Sequence, residues 1–189
     1  MSYKIQAKKL FRNLTIPQNF FIGVEMKATI IMGSISDKEI AKKSAQALHR
    51  FGIEYETRVL SAHRSIDELI PYVQSFEANG IDVVIAIAGK AAHLAGVIAG
   101  LTILPVIAVP VKTSVMGGMD SLLSIVQMPS GVPVATVAID GGENAGILAA
   151  QIFSLKDSAI KKRLHEYKQE LKQAVLAMQQ ELDSNENKL

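Results

Sequence analysis

The chain has 189 residues, 49% of them hydrophobic and 20% charged, with a formal net charge of +2 and neither cysteine nor tryptophan. That length supports one domain with a real core, and the composition excludes a disordered chain. The missing cysteines exclude disulfides, thiolate nucleophiles and cysteine-based metal sites, and they fit a reducing compartment.

Residues 1–25 stand apart. They hold Lys4, Lys8, Lys9, Arg12 and Glu25, four of the 20 basic and one of the 18 acidic side chains, for a net of +3. The remaining 16 basic and 17 acidic residues leave the body at −1, with no basic bias toward nucleic acid. No cleavage site follows an apolar stretch here, so the segment reads as an upstream start or a non-native, poorly ordered extension rather than a targeting peptide.

From Met26 the pattern alternates. Ala28–Met32 is the first strand, and Gly33-Ser34-Ile35-Ser36-Asp37 forms a turn. A helix follows from Lys38 to Phe51, with Ile40, Ala41, Ser44, Ala45 and Leu48 on one face and Gly52 as its stop. Glu54–Leu60 is the second strand, and a helix runs over Ile66–Asn79 to Gly80. Asp82–Ala88 is a buried strand, Ala91–Leu101 an Ala- and Gly-rich helix, and Pro105–Val109 the fourth strand. Ser121–Met128 is a helix, Val132–Ile139 a fifth strand and Asn144–Phe153 a helix. The apolar stretch Ile81–Val111 is broken by Asp82, Lys90, His93, five glycines and prolines, so it reads as two strands joined by a helix, not a membrane span. Repeated strand–helix units imply a parallel sheet covered on both faces, with right-handed crossovers.

The tail differs. Over Asp157–Asp183, Ile160, Leu164, Tyr167, Leu171, Ala174, Met178 and Leu182 recur at spacings of three or four. They form one stripe along a helix of about 40 Å. That is longer than a small sheet needs for cover, so residues 157–189 are expected to form an arm that crosses onto a neighbouring subunit, leaving 26–156 as the α/β domain.

Loops after parallel strands converge on one sheet edge, where such sheets bind ligands. The first loop offers Gly33, two serine hydroxyls and Asp37 before a helix N-terminus, which suits an anion and sugar hydroxyls; a plain capping turn uses the same residues. It matches neither a P-loop nor a dinucleotide fingerprint. In the second, Ser61-Ala62-His63-Arg64, an arginine that grips phosphate or carboxylate adjoins a histidine able to move protons near neutral pH. A lone loop histidine is ordinarily just solvated; Arg64 and the strand-end position favour function. The third, Ala88-Gly89-Lys90-Ala91-Ala92-His93-Leu94, leaves His93 as either a cap or a pocket wall, and Lys90 as either an anion contact or a surface charge. No metal-ligand spacing occurs.

Taken together, Met32–Asp37, Ser61–Arg64, Ala91–Leu94 and Asp120–Pro129 resemble the class I N5-carboxyaminoimidazole ribonucleotide mutases of purine biosynthesis, over about Lys27 to Lys168. The resemblance implies a flavodoxin-like three-layer α/β/α sandwich and a cytoplasmic homo-octamer with exchanged C-terminal helices. It implies a reaction, without cofactor or metal, that moves a carboxylate from the exocyclic nitrogen to C4 of an aminoimidazole ribonucleotide. By position, Ser34, Ser61 and Arg64 would hold the 5-phosphate, Asp37 the ribose hydroxyls, and Ser36 the loop. His63 would be the general acid/base. Ala88, Gly89, Lys90, His93 and Leu94 would enclose the base and retain carbon dioxide. Two positions depart from the family pattern: its glycine pair is here Gly89-Lys90, and its Leu-Pro-Gly is Leu94-Ala95-Gly96. Alternative functions are a carboxylase that uses carbon dioxide and the unmodified ribonucleotide, and a non-catalytic phosphoribosyl-binding module.

Overall fold

The computed structural model describes residues 26–185. The basic extension expected over 1–25 therefore lies outside the described residues. Five strands, β1 (Lys27–Met32), β2 (Glu54–Val59), β3 (Ile81–Gly89), β4 (Val106–Val111) and β5 (Ala135–Thr136), form one sheet in the order β2-β1-β3-β4-β5. Every pairing is parallel. This is the flavodoxin-like order, in which the chain reverses direction between β1 and β3 and opens a crevice at their C-terminal ends.

The helices are α1 (Lys38–Arg50), α2 (Ile66–Gln74), α3 (Leu94–Ala99), α4 (Met119–Val126), α5 (Gly142–Phe153) and α6 (Ser158–Asn185). Because side chains alternate along a strand, each strand feeds two cores. Ile30, Met32, Ile85, Ile87, Ile107 and Val109 pack with Leu48, Phe51, Ala149, Phe153 and Ile160 from α1, α5 and α6. Ile31, Val84, Ala86, Val106 and Ala108 pack with Leu69, Val73, Phe76, Leu94, Ile98 and Ile125 on the opposite face. The result is a three-layer α/β/α sandwich whose central β3 is buried along nearly its whole length. Gly52 and Gly80, read as helix stops, both turn the chain through left-handed backbone, with φ of 68° and 67°.

Three elements differ from expectation. The fifth strand, expected over Val132–Ile139, keeps only two ladder residues, because Pro133 cannot donate and the chain lies at the sheet edge. Single bonds from Val137 N–H to the Ala108 carbonyl (3.0 Å) and from Asp140 N–H to the Pro110 carbonyl (2.9 Å) hold the rest against β4. The second helix stops at Gln74, with a separate 3₁₀ turn over Glu77–Asn79. The third begins at Leu94 rather than Ala91, because Lys90 is left-handed and His93 N–H turns back onto the Ala91 carbonyl.

The long tail helix is present, and its stripe divides. Ile160 and Leu164 are buried, and the half-buried Tyr167 meets Phe51 edge-on at 5.6 Å. From Lys168 to Ser184 every residue is exposed, including Leu171, Val175, Met178 and Leu182. No helix among the described residues is long and apolar enough to cross a membrane.

Candidate active site

Four strand ends, not three, build one cavity of about 580 Å³. After β1, the Gly33 N–H donates to the Ile87 carbonyl (3.0 Å), stitching this loop to β3. The Ser34 hydroxyl accepts from the Ser36 N–H (3.3 Å), and the Ser36 hydroxyl donates to Asp37 Oδ1 (3.0 Å). Asp37 occupies the N-cap position of α1, yet its side chain makes no capping bond. It is only 7% exposed and lines the cavity instead. The plain capping reading thus fails for Asp37. Burial holds its carboxyl above the ordinary value; the Ser36 hydrogen bond opposes this, and the nearby Asp140 charge adds to it.

After β2, Ser65 pins the turn: its hydroxyl accepts from Ser61 N–H (2.9 Å), and its own N–H donates to the Ser61 carbonyl (3.1 Å). The Ser61 hydroxyl then accepts from His63 N–H (3.3 Å) and from Arg64 Nε (3.4 Å). Arg64 also donates through a terminal nitrogen to the Gly33 carbonyl (3.1 Å), tying this loop to the first. The guanidinium keeps its remaining donors, and it stands beside Ser34 and Ser61 in a geometry suited to a phosphate.

After β3, His93 caps α3 by position only and makes no side-chain capping bond. Its Nδ1 lies 2.8 Å from His63 Nε2, with the rings edge-on at 4.9 Å. Of its two readings, the pocket wall holds. One ring must donate and the other accept, the roles being set by the tautomers. Ala88, Gly89, Lys90 and Leu94 line the same wall.

The fourth wall, Val111 at the end of β4 with Lys112, Thr113 and Ser114 after it, escaped the sequence reading. The Lys112 N–H is held by Asp140 Oδ1 (2.8 Å), and the Thr113 hydroxyl donates to Asp120 (2.8 Å). The signal was available: a fourth parallel strand must end on the same edge as the other three. All eleven residues singled out from the sequence, Ser34, Ser36, Asp37, Ser61, His63, Arg64, Ala88, Gly89, Lys90, His93 and Leu94, line the cavity. The Asp120–Pro129 run does not; Asp120 only braces Thr113.

Flavodoxin-like strand order, an arginine-and-serine corner and a histidine pair over one crevice define an α/β protein with its cavity at the C-terminal ends of parallel strands. A family model described as AIR carboxylase matches residues 27–174, and the chain belongs to that family. It is 54% identical over 154 residues to the N5-carboxyaminoimidazole ribonucleotide mutase of Thermotoga maritima, covering 82% of this chain and 90% of that protein. It is 55% identical over 148 residues to the protein of the same name from Methanocaldococcus jannaschii, covering 78% and 92%. Among solved structures, Treponema denticola PurE superposes with a TM-score of 0.77 at 34% identity, covering 83% of this chain and 98% of that one.

Proposed function

We propose that this protein is an N5-carboxyaminoimidazole ribonucleotide mutase, an isomerase acting in purine biosynthesis in the cytoplasm. The observation that carries the reading is the identity above half with proteins of that name over about four fifths of the chain, within a family match over residues 27–174 that takes in every wall of the cavity.

The chemistry follows from the parts. Arg64, Ser34 and Ser61 hold the 5-phosphate, and Asp37 accepts from the ribose hydroxyls. Charge-assisted bonds of this kind fix position as well as affinity. The carbon–nitrogen bond of the N-carboxylate breaks with its electron pair moving to nitrogen, and His63 delivers a proton there as neutral carbon dioxide departs. The C4 carbon then attacks the confined carbon dioxide, and the C4 proton returns to His63. The sum is an isomerisation with no net proton change, so one histidine serves as acid and then as base. His93, hydrogen-bonded to His63, orients its ring. The small residues Ala88, Gly89 and Ala91 leave room for the base and keep water away from the intermediate.

The test is turnover of the N-carboxylated ribonucleotide to the C4-carboxylated product above the uncatalysed rate; its absence refutes the reading. A second reading, carboxylation of the unmodified ribonucleotide by carbon dioxide, is favoured by the description of the matching family as AIR carboxylase. Supplying that ribonucleotide with bicarbonate and no ATP separates the two. We assign residues 26–156 to catalysis and the exposed part of α6 to assembly as an octamer, which sedimentation of the intact chain and of a chain ending at Lys168 tests.

A further inference from the structure

Lys90 adopts φ 60°, a left-handed backbone that a residue with a Cβ atom enters only at a cost. Among the described residues the one other non-glycine with positive φ is Asp140, at 57°. Aspartate tolerates that region, and its carboxylate is used there to hold the Lys112 N–H. Lys90 gains no comparable local bond: among the described residues its ammonium has neither a carboxylate within ion-pair distance nor a hydrogen-bond partner. Backbone strain kept at a site wall without local return points to a use for the side chain.

The charges of the cavity indicate that use. Among the described residues its fixed cations are Arg64, Lys90 and Lys112, and its only carboxylate is the buried Asp37. Arg64 is committed to the β1–β2 side through Gly33 and Ser61. Lys90 and Lys112 stand on the loops after β3 and β4, on the other side of the crevice between β1 and β3. A cavity with cations on the loops of both sides of that crevice suits a ligand with two anionic groups, and the ribonucleotide of the mutase reading carries a phosphate and a carboxylate.

Resting on that reading, we propose that Lys90 is a specificity-determining residue whose ammonium holds the transferable carboxylate, so that the site selects carboxylated ribonucleotides over the unmodified one. The charge logic sets its kinetic signature. The carboxylate is anionic in substrate and product and is neutral carbon dioxide between them. A cation at that position therefore stabilises both bound forms more than the route between them, and its removal acts on KM rather than kcat.

The test compares wild type with Lys90→Met, which keeps the chain length and the strained backbone while deleting the charge. Lys90→Gly, which also relieves the strain, and Lys90→Arg, which retains the charge, accompany it. For Lys90→Met and Lys90→Gly the expected result is a KM for the N-carboxylated ribonucleotide raised about tenfold, the loss of one charge-assisted contact, with kcat unchanged or higher. Calorimetric affinity for the C4-carboxylated product falls by a similar factor, affinity for the unmodified ribonucleotide is unchanged, and Lys90→Arg restores both. Unchanged affinity for the carboxylated forms overturns the inference, as does an equal loss for both ligand types, which would place Lys90 on the phosphate or ribose. Failure of wild type to turn over its substrate refutes the mutase reading separately, and the calorimetric comparison still decides the role of Lys90.

Discussion

Replacing Gly146 with alanine opposes two effects of known size. Gly146 lies inside α5, where alanine is the better helix former by about 1 kcal/mol. It also faces α1, and a Cβ there would sit 2.6 Å from Ala47 Cβ and 2.7 Å from the Ser44 carbonyl oxygen. Ordinary carbon contacts lie at about 3.5–4.0 Å, so the helices must part by roughly 1 Å. Both obstructing atoms are fixed to the α1 backbone, so no rotamer relieves them, and the overpacking cost falls near the upper end of about 1–3 kcal/mol. The net is a destabilisation of about 2 kcal/mol, or a Tm lower by roughly 4–8 °C for a chain of this size. Gly100→Ala serves as the control. Its Cβ would meet only the Gly96 and Val97 carbonyls at 3.6 Å, so its Tm should barely move. Scanning calorimetry with matched urea titrations reads both variants. An unchanged or raised Tm for Gly146→Ala would show that the helices yield freely and that the close approach does not fix α1. The point reaches function because α1 carries Ser34–Asp37 at its N-terminus, where a 1 Å misplacement is expected to raise KM as well.

His63→Asn should lower turnover by about 10²–10⁴-fold, the usual contribution of a positioned acid/base. Binding of ribose 5-phosphate by calorimetry should stay close to wild type, since Arg64, Ser34 and Ser61 remain; a parallel loss of binding would make His63 a contact instead. Asp37 is held above its ordinary value mainly by burial, so the folded protein binds that proton more tightly than the unfolded chain. Stability contributed through this group is therefore lost as pH rises from the ordinary carboxyl value through the raised one. Asp37→Asn should raise Tm at about pH 7, lose that advantage near pH 3 and weaken ribonucleotide binding; a Tm gain independent of pH would contradict the argument. Tyr72, whose hydroxyl is shared with Thr29 (2.6 Å) and donates to Glu56, is pushed up from 10.0 to about 12, mainly by burial. Tyr72→Phe leaves the buried Thr29 hydroxyl without that partner, at about 1–2 kcal/mol. It should also remove part of the stability that wild type loses on going from about pH 10 to pH 12, which alkaline thermal melts would detect.

The sheet was legible where burial on both faces leaves a continuous apolar run, as in β3 and β4, because such a run has few other places to go in a chain this size. It was least legible at β5, where an edge strand interrupted by Pro133 makes isolated bonds to β4 rather than a ladder. The site residues were found because parallel strands deliver their loops to one edge. The Lys112–Ser114 wall was missed because these residues have no chemical signature of their own and matter only through the strand they follow. The contact between His63 and His93 spans 30 positions and depends on the left-handed turn at Lys90, which a sequence pattern does not announce. The stripe on α6 was visible throughout, but its division into a buried and an exposed part depends on where the sandwich ends.

The proposed mechanism has a carboxylate leave nitrogen, stay within one cavity and return to carbon. Its most direct test uses ribonucleotide labelled with ¹³C in the N-carboxylate, turned over in unlabelled bicarbonate, with the product examined by NMR. The C4-carboxylate is expected to carry the label in most product molecules. Product bearing solvent carbon, or no product from the N-carboxylated substrate, would contradict it.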